Sequence, residues 1–117
     1  RVTLARERER QAQLALEEQL RIVQEDVRRA LLDLQTATTS LALSEDQLRA
    51  AEAEYAQVAD LYRSQEATSL DIQSSETNLS EARRAVVVSR LSRLFSELGV
   101  YFAAGDLKSA VLKEEKP

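Results

Sequence analysis

The chain contains neither cysteine nor histidine. Without cysteine there is no disulfide framework and no thiol nucleophile, and the redox compartment is left open. Without histidine the commonest general base and the commonest metal ligand are both missing. Glycine occurs twice and proline once, as the last residue, so little punctuates the chain into short elements. Aromatics make up 4% of the 117 residues, and no segment has the β-branched alternation that a strand needs. No apolar run approaches the ~20 residues of a membrane-spanning helix. The opening RVTLARERER is not a signal peptide, so a targeting segment of an exported parent would lie outside this chain. A net charge of -4 disfavours a nucleic-acid surface. Serine and threonine are plentiful, but with no histidine or cysteine beside them no nucleophile–base pair is indicated. The reading is therefore not an enzyme, with no cofactor and no metal.

What remains is 44% hydrophobic and 31% charged, rich in Ala, Leu, Glu, Arg and Gln, the composition of long helices and coiled coils. Steps of four and three residues pick out one row from Leu16 to Tyr62. Every second member is large: Leu20, Val27, Leu34, Leu41, Leu48, Tyr55 and Tyr62. The members between are mostly small: Val23, Ala30, Ala37, Ser44, Ala51 and Val58, with Ser44 the one polar residue of the row. A period of 3.5 keeps such a seam on one side only when helices wind around one another. Small residues in alternate layers let the partner backbone approach. The row predicts a long helix over about 3–62 that packs on other helices.

Residues 1–15 are charged and begin without a cap signal apart from Thr3, as expected of a helix cut from something longer. Glu17–Arg21, Glu25–Arg29 and Glu45–Arg49 are spaced for favourable ion pairs along the helix. The pattern fails over 63–69, and Thr68 and Asp71 have the spacing of a capping box. Periodicity alone leaves a tight turn and an uninterrupted rod both open. A second, shorter helix is expected from about 70 to 98, its apolar face shifting to Val87, Leu91, Leu94 and Leu98, which suits contact on two sides. Gly99 is a natural helix stop, and residues 100–117 are expected to be a mobile tail.

This arrangement resembles the C-terminal repeat of the TolC-like outer-membrane efflux protein family. Val27-Arg28-Arg29-Ala30-Leu31 is similar to the family's helix entry. Ala50-Ala51-Glu52, Tyr55 and Tyr62 are similar to its approach to the tip. Leu70-Asp71-Ile72, with Leu79 and Ala82, resembles its return, and Glu97-Leu98-Gly99 its closing step. The order and spacing cover about residues 20–105. At the tip the family's glycine is replaced by Gln65.

The resemblance implies an all-α fold: a long antiparallel coiled-coil hairpin over 1–99, tip at 63–69, with no β-barrel in this chain. It implies a periplasmic tunnel wall in a Gram-negative bacterium. Three protomers, each with two such repeats, would form a twelve-helix cylinder joined to a β-barrel outside this chain, the only link to the membrane. The partners implied are further copies, a periplasmic adaptor and an inner-membrane transporter. Tyr62 and Asp71 match pore or gate positions, although Ala67 and Ser74 stand where the full gate network has an arginine and a second acid. By position, Ser64, Gln65, Glu66, Ala67, Thr68 and Ser69 are candidates for adaptor contact. Capping is the other role open to Asp71, packing the other role of Tyr62, and a solvated turn the other reading of the tip. The alternative function is a generic coiled-coil interaction module, such as the α-hairpin of a periplasmic adaptor. An exchangeable lipid-binding protein is disfavoured by the narrow, alanine-rich seam. With a second helix ending near 98, residues 1–35 would keep an unpaired seam and drive self-association.

Overall fold

In the computed structural model, which describes residues 2–115, the chain forms two helices. The first, α1, spans Val2–Arg63 and the second, α2, Ser69–Glu115. The described residues contain no strand. The two helices form a helical hairpin with arms of unequal length, the one of the two arrangements left open by periodicity that the resemblance favours. It divides into two compact units: a tip unit, Gln35–Phe95, and a base unit that joins Arg1–Leu34 to Ser96–Pro117.

In the tip unit α1 turns its row onto α2. Leu41 is buried; Ala37, Ser44, Leu48, Ala51, Tyr55 and Val58 are half-buried, while most of their neighbours are exposed. The answering row on α2 is Ile72, Ser75, Leu79, Ala82, Val86 and Ser89, again at steps of three and four. Leu79 and Val86 are buried hydrophobics, and Ser75 is only 2% exposed. Burying Leu41, Leu79 and Val86 stabilises the hairpin by on the order of 2 kcal/mol each. The serines fit because they are small and satisfied. Ser75 Oγ donates to the Ile72 carbonyl at 2.9 Å, and the hydroxyls of Ser44 and Ser89 meet across the seam at 2.8 Å. Arg90 and Glu45 approach to 4.0 Å between the arms.

In the base unit the same arithmetic continues. Leu16, Leu20, Val23, Val27, Ala30 and Leu34 on α1 are half-buried, as are Ser96, Val100, Ala103 and Leu107 on α2. This corrects two expectations. The second helix does not stop at 98, and residues 100–115 are helix rather than a loose tail. Neither glycine has a positive φ, so Gly99 serves as an ordinary helical residue. The packing of Val100, Ala103 and Leu107 outweighs the ~1 kcal/mol that a mid-helix glycine costs. The unpaired seam expected over 1–35 shrinks accordingly: residues 2–15 are exposed, but from Leu16 the row has a partner arm. Residues 116 and 117 of the expected tail lie outside the described residues.

The apolar face of α2 shifts onto Val87, Leu91, Leu94 and Leu98, but the row packed on α1 does not follow it. These side chains are exposed, along with Val88, Phe95, Tyr101 and Phe102. The inner row keeps its heptad instead through Ser89 and Ser96, with exposed Arg93 between them. The expected ion pairs also exchange partners. Arg21 bonds Glu18 and lies 3.8 Å from Glu25, and Arg49 pairs with Asp46. These pairs are exposed and contribute tenths of a kcal/mol.

Candidate functional site: the hairpin tip and the outer face of α2

Five residues reverse the chain. At the end of α1, Glu66 N donates to the Leu61 carbonyl at 2.8 Å and Gln65 N to the Tyr62 carbonyl at 3.1 Å. These are the two crossed bonds of a Schellman cap, which requires a left-handed residue after the helix. Gln65 is that residue, with φ of 65°. A glutamine is strained where the backbone is left-handed, and that condition is met here. Ala67 N adds a further bond to the Leu61 carbonyl at 3.2 Å. The Ser64 hydroxyl donates to the carbonyls of Asp60 and Leu61. The carbonyls of Asp60, Leu61 and Tyr62 are thus satisfied without glycine or proline.

The start of α2 is closed reciprocally. Thr68 N donates to Asp71 Oδ2 at 3.0 Å, and Asp71 N donates to Thr68 Oγ1 at 3.2 Å. This is the capping box expected from the spacing. The hydrogen bond from the Thr68 backbone, seconded by the Thr68 side chain, holds the Asp71 carboxyl below the usual carboxylate range. A depressed pKa means that the ionised form is favoured by folding. The stability it lends is present above the unfolded value of about 4 and fades as pH falls through the folded one.

Of the candidate residues, Asp71 therefore has a defined local role as a cap, and it is exposed at the hairpin end. Tyr62 is 46% exposed in the last turn of α1, a rim position rather than a buried seam position. Ser64, Gln65, Glu66, Thr68 and Ser69 are exposed, and Ala67 is half-buried, turned into the tip. The seam candidates Leu20, Val27, Leu34, Leu41, Leu48 and Tyr55 all lie on the inward face. Among the described residues no group of acids could hold a metal, and no helix is long and apolar enough to cross a membrane.

The second feature is the outer face of α2, on the side away from α1. Nearest the tip it is polar, carrying Gln73, Ser74, Thr77, Ser80 and Arg84. From Val87 it becomes apolar and continues so through Phe102, where Phe95 is 68%, Tyr101 76% and Phe102 66% exposed. Between residues 82 and 96 α2 carries Arg83, Arg84, Arg90 and Arg93 and no acid. Hydrophobic patterning finds the large apolar residues and suggests contact on two sides, but does not say which row meets α1. The signal that separates the two is the uninterrupted three–four step through Ser75, Ser89 and Ser96.

Comparison with known proteins assigns no family: no family profile, no curated protein and no solved structure matches this chain.

Proposed function

We propose that this chain is a non-enzymatic wall segment of a periplasmic export duct, its capped tip presented to an adaptor. The observation that carries this reading is the two-sided character of α2. Its inner row packs on α1, while Val87, Leu91, Leu94, Leu98 and Tyr101 form a second row at the same spacing. At 3.5 residues per turn the two rows lie roughly 150° apart around the helix. A helix in a closed ring has its two neighbours separated by 180° less the ring's turn per helix. An angle of roughly 150° corresponds to a ring of about a dozen helices. A small bundle would ask for a much sharper angle, and a helix on a globular core for one face only.

In this setting the outer row of α2 takes a helix of the parent's other repeat, and copies assemble as a trimer. The ring of tips carries Asp71 at a narrow opening, where repeated carboxylates concentrate a cation-attracting field. The test is topological. Ser64→Cys introduces a thiol at the exposed tip of a chain that has none of its own. In cells making the full-length protein, a membrane-impermeant maleimide is expected to label it once the outer membrane alone is opened. Labelling that requires lysis of the inner membrane overturns the periplasmic reading.

A further inference from the structure

The outer face of α2 leaves an unusual amount of apolar surface in water. With aromatics offering about 200 Å² each, Phe95, Tyr101 and Phe102 alone expose on the order of 400 Å². That already equals the largest patch on an ordinary monomer, before the aliphatic residues are added. The face is helical and heptad-spaced, so its natural cover is another helix.

We infer that in the free chain this face pairs with the same face of a second copy, the two α2 helices running antiparallel about a twofold axis near Ser92–Arg93. The sequence of α2 is self-complementary about that point. Leu91 of each copy falls opposite Leu94 of the other, and Val88 opposite Phe95. On the flank, Arg90 falls opposite Glu97, and the symmetry makes this ion pair twice. A parallel pairing would instead set Arg90 beside Phe95 and make no such ion pair. The α1 helix offers no row of comparable length: its exposed apolar residues, such as Ile22, Leu32 and Leu43, are separated by exposed Arg28, Gln35, Thr39, Asp46 and Arg49. The pairing is independent of the duct reading. Within a wall the same face meets a helix absent from this chain, whereas the chain alone covers the face with itself.

Sedimentation equilibrium on the 117-residue chain tests this. The wild-type chain is expected to be a dimer at micromolar concentration. Leu91→Glu, at a side chain 49% exposed, leaves the hairpin folded by circular dichroism and raises the dissociation constant about 100-fold, since it buries a charge twice. Arg90→Glu and Glu97→Arg singly weaken the dimer about tenfold. The double variant restores it, because each copy again meets the opposite charge. A monomeric wild-type chain, a dimer indifferent to Leu91→Glu, or a double variant weaker than both singles overturns the proposal. Each of these outcomes leaves the maleimide experiment at the tip unaffected.

Discussion

Gln65 carries the conformational strain of the tip. Its φ of 65° crowds the side chain against its own backbone, a conformation costing an L-residue roughly 1–2 kcal/mol and glycine almost nothing. The Schellman bonds to Leu61 and Tyr62 hold it there. Gln65→Gly is therefore expected to raise the urea midpoint by the equivalent of about 1 kcal/mol, part of the gain being offset by the freer unfolded chain. The comparison is made at one protein concentration, because a self-associating chain gains apparent stability by mass action. An unchanged or lowered midpoint would mean that the left-handed turn is not a source of strain. Residues near the tip were legible from local chemistry, since a capping box needs only Thr68 and Asp71 three apart. Position 65 was legible only through the resemblance, because glutamine gives no sign of positive φ.

Along each helix, legibility depended on size. The α1 row could be read almost to its end because its alternate layers are Leu, Val, Ala and Tyr; burial follows it from Leu16 to Val58 and leaves Tyr62 at the rim. The α2 row could not, because Ser75, Ser89 and Ser96 occupy inner positions while larger apolar residues lie outside. Hydrophobicity then marks two sides of the helix, and only the unbroken spacing identifies the one that meets α1. Gly99 misled for a related reason: the same residue serves as a stop in the left-handed conformation or as a poor helix interior. Substitution separates the two. A methyl group at Gly99 would point into open space, so Gly99→Ala is expected to stabilise the chain by about 0.8–1 kcal/mol and raise its helix content. A loss of stability of that size would instead place the helix end at Gly99 and return residues 100–115 to a tail.

For the molecule as a whole, the decisive question is whether the arm that answers α1 belongs to the same chain. Both a hairpin and a rod exchanging arms with a second copy would satisfy the same heptad rows, and domain exchange is a low-cost alternative wherever a short turn joins long helices. The capped tip favours the hairpin, since the Schellman bonds and the capping box satisfy both helix ends only when the chain reverses there. The Ser44–Ser89 pair gives a direct measurement. Their hydroxyls meet at 2.8 Å across 45 residues of chain, so Ser44→Cys with Ser89→Cys brings two thiols together in a protein with no competing cysteine. On mild oxidation the bond is expected within one chain, giving a species that migrates as a monomer on a non-reducing gel. Closing a loop of that length should add about 4 kcal/mol to stability, read as a higher melting temperature that falls back on reduction. A covalent dimer as the main product would mean that the arms are exchanged, and the tip would then be a hinge between copies rather than an exposed docking end. The α2-to-α2 pairing remains separately measurable in that outcome, because it lies on the face of α2 that neither arrangement of the arms covers.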